Sequence, residues 1–337
     1  MTREINTIVI VGPPDAAAAA AAFAISLRGG DFKIRFVTNA NNTVAPGYVR
    51  SRGGAVGFHQ LLGIDEEALV EACGAYRLLG TVYRGFGARP EDALVPLGGH
   101  GKSLRLVDFH QYIAKLRAAG DETSYNEFSL PATAGARGHF DIGMIPDSDV
   151  GRTVGFDICV EAARYSEFMR GLAIEHGVEV IDGEVKSTSV ESGEVVALKL
   201  DNGETLAGDF FVDCTGDRRI ASDVAGEAGF RDWSEWMPCD SSASVAVPDT
   251  SRGSLFATVE ADDFGWTNRT YAGEWLFRDY AYSSELLDDE RACGNLAARV
   301  GSIDASDVRV TRLRRGRNDT HWSGNCVALG PASVCLE

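Results

Sequence analysis

The chain has 337 residues, 45% of them hydrophobic and 24% charged, which is the composition of a folded globular protein rather than a disordered or fibrous one. That length gives room for one large domain with an elaborated second layer, or for two domains. The net charge of −17 creates a field that repels phosphate backbones, which argues against nucleic acid as a partner.

The seven cysteines, Cys73, Cys159, Cys214, Cys239, Cys293, Cys326 and Cys335, are scattered and never form a C-x-x-C pair. This predicts free thiols in a cytoplasmic protein rather than a disulfide frame or a zinc site. His59, His110, His139, His176 and His321 share no ligand spacing, so no metal is expected. The first residues do not read as a signal peptide. The apolar run over 16–22 is too short to span a bilayer, so no membrane association is expected.

In chain order, residues 5–11 (INTIVIV) form a β-branched run that predicts a strand. A turn over 12–15 follows, then a helix over 16–27 closed by Gly29 and Gly30, then a second strand over 33–38 (KIRFVT). Strand, turn, helix and strand in this order open a βαβ unit. The stretch 90–149 has weak periodicity, and its structure stays open. Tyr165, Phe168, Met169, Leu172 and Ala173 recur at helical spacing, and Gly177 ends that helix. Short strands are predicted over 178–181, 183–189, 195–200 and 204–206. A buried strand over 209–213 (DFFVD) then runs into Cys214, Thr215 and Gly216. The runs 5–11, 33–37 and 209–213 are expected to be neighbouring parallel strands with the first helix packed on them.

The block from Tyr165, YSEFMRGLAIEHGVEVIDGEVKSTSVESGEVVALKLDNGETLAGDFFVDCTG, resembles the second nucleotide-binding segment of the flavin-dependent tryptophan halogenases. Further segments resemble that family in the same order. They are LLGIDEEALVEACGAYR at 61–77, VDFHQYIAKLRAAGD at 107–121, DWSEWMPCD at 232–240, FGW at 264–266, YAYSS at 280–284 and GRNDTHWSGNCVALG at 316–330. The resemblance covers nearly the whole chain. It implies an α/β fold with an FAD-binding, Rossmann-like sheet of the aromatic-hydroxylase type carrying a substrate-binding layer. It also implies a single unit over 1–337, expected to be incomplete at its C-terminus. Nucleotide-binding parts fall at approximately 1–45, 155–230 and 305–337, and substrate-side parts at approximately 60–150 and 235–304.

The activity that the resemblance implies is an FAD-dependent, halogenase-like monooxygenation of tryptophan, indole or another electron-rich aromatic. A separate flavin reductase supplies the reduced FAD. In such enzymes the flavin does the oxidation while protein groups position and polarise the reactants. A lysine beside a glutamate directs the hypohalous acid onto the substrate ring. Two rival readings stand beside this one: a non-catalytic remnant of the family, and a flavin-dependent aromatic hydroxylase. The oligomeric state is left open.

Several positions depart from the family pattern. The phosphate loop G-x-G-x-x-G reads Gly12-Pro13-Pro14-Asp15-Ala16-Ala17 here. Gly12 stands and Ala17 is tolerated as the third position, but Pro14 replaces the second glycine. The two prolines remove backbone N–H donors and Asp15 adds negative charge, so FAD is expected to bind poorly. Asp15 is also a good N-cap for the alanine-rich helix that starts at Ala16. Thr38 stands where the family has an acid that holds the ribose hydroxyls. Val185, in Gly183-Glu184-Val185, and Asp213, Thr215 and Gly216 match flavin contacts in type. Arg77 occupies the position of the catalytic lysine. A guanidinium is bulkier and a poor nucleophile, and a structural ion pair is an equally good account of it. Trp266 keeps the first tryptophan of the W-x-W-x-I-P signature, and a plain core role remains open for it. Gly330 and Pro331 match the third flavin segment, and Glu337 matches the glutamate just before P-L-E-S-T.

Overall fold

The structure is a computed structural model that describes residues 4–39, 44, 46–51, 53–87, 91–145, 147–216, 220, 229–249, 251 and 253–336. Glu337 lies outside the described residues, as do 40–43 after the second strand.

β1 (Thr7–Val11) sits inside a six-stranded sheet, and its Ile8, Val9, Ile10 and Val11 are all buried, as a central strand covered on both faces requires. The order is β20 (Trp322–Ser323), β21 (Cys326–Ala328), β12 (Phe210–Asp213), β1, β2 (Lys33–Thr38), β8 (Glu179–Asp182). The pairs β12–β1, β1–β2, β2–β8 and β12–β21 are parallel, with Ile8 opposite both Phe210 and Ile34. The three runs expected to be parallel neighbours are therefore neighbours. Buried Asn325 ties three backbones together beside this sheet. Its amide donates to the carbonyls of Val195 (2.8 Å) and Asp209 (2.9 Å), and its Oδ1 accepts from Val195 N (2.8 Å).

α1 (Ala17–Ser26) follows a 3-10 turn over Pro14–Ala16. Ala17, Ala20, Ala21 and Ala24 are buried, and α6 (Ala162–Glu175) lies against this smooth face with Met169 and Ala173 buried. Asp15 does not cap α1. Pro13 is extended and Pro14 opens the turn one residue early, so Asp15 falls inside it. Ala16 takes the N-cap position without a side-chain bond.

After α6 the strands begin later than their apolar residues suggest. Val178 N still bonds the carbonyl of Ala173, so β8 starts at Glu179. Gly183 N goes to Thr38 O and Glu184 N to the Asp201 carboxylate, so β9 (Val185–Glu191) starts beyond both. β9 continues through β10 (Glu194–Leu200) and β11 (Thr205–Ala207) as an antiparallel meander.

The second large sheet has seven strands in the order β18 (Arg309–Arg312), β14 (Ser241–Pro248), β17 (Trp275–Tyr282), β16 (Gly265–Ala272), β15 (Phe256–Asp262), β5 (Gly80–Arg84), β6 (Ala93–Pro96). α7 (Asp289–Val300) covers one face, packing Ala292 and Leu296 on Ala243, Val245, Tyr280 and Tyr282. Its ends are well fixed: Asp288 accepts from Arg291 N, and Gly301 closes it in the left-handed region. Two three-stranded sheets link the halves. One is β3 (Tyr48–Arg50), β7 (Asp157–Glu161), β4 (Tyr76–Leu78); the other is β13 (Phe230–Asp232), β19 (Gly316–Asn318), β22 (Val334–Cys335). α2 (Gly53–Leu61) and α3 (Glu66–Cys73) flank the first sheet. The stretch left open by the sequence holds β6, α4 (Phe109–Ala118) and α5 (Leu130–Ala136). Among the described residues no helix is long and apolar enough to cross a membrane.

Candidate flavin and substrate sites

The first cavity, of about 360 Å³, opens where β1, β2 and β12 end. Val11, Gly12 and Pro13 form one wall, Val37, Thr38 and Asn39 the next. The stretch 183–188 forms a third, with Thr215 and Ile220 across from it. The carboxyl ends of parallel strands, at the point where the strand order reverses, are the general ligand position of such sheets. Of the residues proposed from sequence, Gly12, Thr38, Val185 and Thr215 come together here. Asp213 sits just beneath, 1% exposed, and its Oδ1 accepts from Thr215 N (2.9 Å) and Thr215 Oγ1 (2.6 Å), which fixes the Thr215 turn.

Gly12 is a close-approach position. A Cβ there would stand 2.7 Å from the Cβ of Ala16 and 2.8 Å from that of Cys214. Ala16 and Ala17 are buried at the start of the helix and serve this packing. Gly216 is left-handed, and its open side faces Pro331; Gly330, also left-handed, begins the adjacent 3-10 turn. Gly216, Gly330 and Pro331 thus form a second cluster outside the cavity lining.

Thr38 carries the most direct sign of a ligand. It is 7% exposed, and its Oγ1 is buried without a hydrogen-bond partner among the described residues. A buried unpaired hydroxyl costs about 1–3 kcal/mol, and a ribose hydroxyl at the end of β2 would relieve it. The residues present therefore fit the adenine–ribose half of an FAD. The pyrophosphate half is served less well. Pro13 and Pro14 offer no N–H, and the Gly12 and Ala16 N–H groups are spent on Val37 O and Pro13 O. Although the Asp15 side chain is exposed, the protein around it withdraws water and raises its carboxyl from the ordinary range. The Cys214 thiol is pushed up to about 12, first by burial and then by Asp213 and Asp15, so it is no nucleophile.

The second cavity, of about 710 Å³, lies on the face of the seven-stranded sheet opposite α7. Tyr83 and Phe86 flank one end, and Trp266, Asn268, Thr270, Asp279 and Ala281 form the floor. Trp266 thus lines a cavity and is only half-buried, which sets aside a plain core role. Arg50 closes one side through a buried ion pair with Asp157 (2.5 Å) and a bond to Thr81 Oγ1 (3.2 Å). Arg315 donates to Cys239 O (3.0 Å) and Leu336 O (2.5 Å). Asp279 went unremarked in the sequence. Its signal was the alternation in β17, where Phe277, Asp279 and Ala281 share a face and a lone acid breaks an otherwise apolar row.

Arg77 lines neither cavity. It lies on β4, pairs with Glu67 at 2.6 Å and stands over the Phe156 ring at 5.7 Å. Its Nε is buried without a partner among the described residues.

The comparisons with known proteins agree with this arrangement. The sequence model of the tryptophan halogenases matches residues 7–337. A tryptophan 6-halogenase of Streptomyces albogriseolus is 29% identical over 195 residues, 56% of this chain and 37% of that protein. A 7-chloro-L-tryptophan 6-halogenase of Kutzneria is 31% identical over 184 residues, 52% of this chain and 35% of that protein. The solved structure of a flavin-dependent halogenase from Brevundimonas superposes with a TM-score of 0.87 at 28% identity, covering 99% of this chain and 68% of that one. A flavin-dependent halogenase from Xanthomonas campestris gives 0.87 at 27% identity, covering 99% and 67%. The chain thus matches little more than a third of the length of these curated relatives. The α/β sheet with its cavity at the strand ends, the seven-stranded sheet and the match along nearly the whole sequence place this chain in the tryptophan halogenase family.

Proposed function

We propose that this chain is an FAD-dependent, halogenase-like monooxygenase acting on an indole or another electron-rich aromatic, with catalysis impaired relative to its family. The observation that carries the cofactor assignment is Thr38, which lines the first cavity and whose buried hydroxyl has no partner among the described residues. Gly12, Val185 and Thr215 would hold the adenosine side, and Asp213 would steady Thr215 beneath it. Ala16 and Ala17 would set the helix start close to the loop, while Gly216, Gly330 and Pro331 would flank the flavin on its far side. When bound, FAD supplies the oxidising chemistry that activates halide. A separate flavin reductase would deliver it in reduced form.

The chain's own contribution is position and exclusion of water. The second cavity offers aromatic surface in Trp266, Tyr83 and Phe86, and apolar surface at Ala257, Val259 and Ala281, where a flat ring can be held in one plane. Impairment follows from the prolines at the phosphate loop and from Arg77. Tied to Glu67, Arg77 stands where the family's lysine would act. The unit would run through the whole chain, with the nucleotide parts near 1–45, 155–230 and 305–337 serving the substrate parts between them.

A flavin fluorescence titration tests this reading. FAD should quench saturably and weakly on the purified chain, and Thr38→Val should weaken it further by about tenfold. Absence of saturable FAD binding, or a Thr38→Val variant that binds as well as the parent, would overturn the assignment.

A further inference from the structure

Arg269 on β16 and Arg278 on β17 stand directly opposite each other in register. Strand alternation puts both on the face that carries α7. Arg278 shares that face with Tyr280 and Tyr282, which pack under the helix, and Arg269 lies over the Tyr271 ring at 5.9 Å. Their neighbours Asn268 and Asp279 belong to the other face and to the second cavity. Like charges directly opposite across an antiparallel pair are destabilising, so this pairing has a cost.

Carboxylates do not offset that cost. The Nε of each arginine is buried and has no hydrogen-bond partner among the described residues. The acids around the pair are already engaged. Arg299 at the end of α7 pairs with Glu260 (3.5 Å) and Asp262 (2.6 Å). Asp249 accepts from Ser251 N (2.9 Å) and from the Tyr271 hydroxyl (3.4 Å). Burial, and then Arg269 beside it, lower the pKa of Arg278 from its ordinary value. Yet both side chains remain half-buried rather than sealed, so a small solute reaches them.

Two guanidiniums call for an oxyanion, which a planar fork of N–H donors holds by two bonds at once. Residues directly opposite on paired strands have Cβ atoms roughly 4.5–5.5 Å apart, so one tetrahedral group can meet both. A monoanion would leave one of the two charges uncompensated. A phosphate monoester carries about −1.5 to −2 at neutral pH and matches both. We propose that Arg269 and Arg278 form an anion site on the α7 face of the seven-stranded sheet, and that its ligand is a phosphate group, free or carried as a monoester by a small molecule. This goes beyond the halogenase-like reading and uses none of the residues assigned to FAD or to the aromatic ring.

The test is isothermal titration of the full chain, without flavin and at low ionic strength, with inorganic phosphate, glycerol 3-phosphate, acetate and chloride. Phosphate should bind at one site, about tenfold or more tighter than acetate or chloride. Arg269→Gln and Arg278→Gln should each weaken it by about tenfold or more, and Arg278→Lys, which keeps the charge but not the fork, by less. Arg291→Gln, which removes an exposed charge elsewhere on α7, should leave it unchanged. Glycerol 3-phosphate bound more tightly than phosphate, with the same losses, makes a phosphate ester the source; weaker binding makes it the free ion. Thermal melting gives a second reading: phosphate should raise the Tm of the parent and of neither Gln variant. Absence of saturable phosphate binding would overturn the proposal, as would an affinity that survives both Gln substitutions. Acetate or chloride bound as tightly as phosphate would overturn the assignment to a dianion.

Discussion

Nε2 of His59 and the phenol oxygen of Tyr165 lie 2.9 Å apart in the buried seam between α2 and α6. Burial lowers the pKa of His59, so its ring stays neutral in the fold. Burial pushes the Tyr165 phenol up to about 12, so it keeps its proton. A histidine with a lowered folded pKa resists the proton that the unfolded chain accepts. Its contribution to stability is therefore present above about pH 6.5 and shrinks as pH falls below it. Urea midpoints should drop between about pH 7 and pH 5, with a smaller drop in His59→Gln. Tyr165→Phe should cost about 1–3 kcal/mol, since it strands a ring nitrogen in the core. A Tyr165→Phe midpoint equal to the parent's would show that the bond contributes nothing.

The loop prolines make a prediction about the cofactor. Pro13→Gly together with Pro14→Gly restores two backbone N–H groups at the helix start, where a pyrophosphate would lie. FAD affinity should rise by about tenfold or more. Stability should fall slightly, because Pro14 favours the first turn that it opens. Unchanged flavin quenching in the double variant would mean that the loop plays no part in binding.

Arg77→Lys should not by itself give halogenation of free tryptophan. The position is held at Glu67 and above Phe156, away from both cavities, and a lysine there would inherit the same carboxylate. Groups that act together in catalysis are not restored one at a time. The assay is mass spectrometry of tryptophan and indoles after incubation with halide, FAD, a flavin reductase and NADH. The parent chain is expected to give no halotryptophan, and so is the variant; product above the no-enzyme control from either would refute this.

Much of the six-stranded sheet was legible in the sequence, because β1 and β12 are short runs of consecutive apolar residues and β2 carries Ile34, Phe36 and Val37, each run ending near turn residues, as strands covered on both faces do. Thr38 was singled out as the last residue of the second run, and Val185 through the resemblance of Gly183-Glu184-Val185 to the family; both line the first cavity. The seven-stranded sheet was not legible. β15, β16 and β17 mix charged and aromatic residues on both faces, since one face meets α7 and the other a polar cavity, and local alternation then loses its contrast. Asp15 misled for a different reason: a good capping residue caps only if the helix begins just after it, and Pro14 moved that start. The isolation of Arg77 from the cavities could not be read from its position in a motif, since it depends on Glu67, ten residues away in sequence on α3, and on Phe156, which lies beyond the intervening strands.

Asp279 should be a net burden on the unliganded fold. A carboxyl whose folded pKa is raised from 3.8 to about 6 takes up protons more readily in the fold than in the unfolded chain. Its share of stability is complete below about pH 4 and is lost as pH rises through about 6, a loss on the order of 2–3 kcal/mol at neutrality. Asp279→Asn should therefore be more stable than the parent at about pH 7.5, and the gap should close by about pH 4. An Asn variant with the parent's stability at both pH values would place this carboxylate in water.

The register that sets Ile8 beside Phe210 has a consequence for how the protein is made. Thr7 N bonds the carboxylate of Asp209 at 2.9 Å, across 202 positions of chain, and β12 in turn waits for β21. At ordinary rates of translation, roughly 10–40 s pass between the emergence of β1 and that of its partner. Until α6 emerges to pack on the alanine face, an apolar β-branched strand and an alanine-rich helix have little beyond β2 to shelter them. Yield in a cell should then depend on holding chaperones, and on slow, cool synthesis, more than the stability of the finished sheet would suggest.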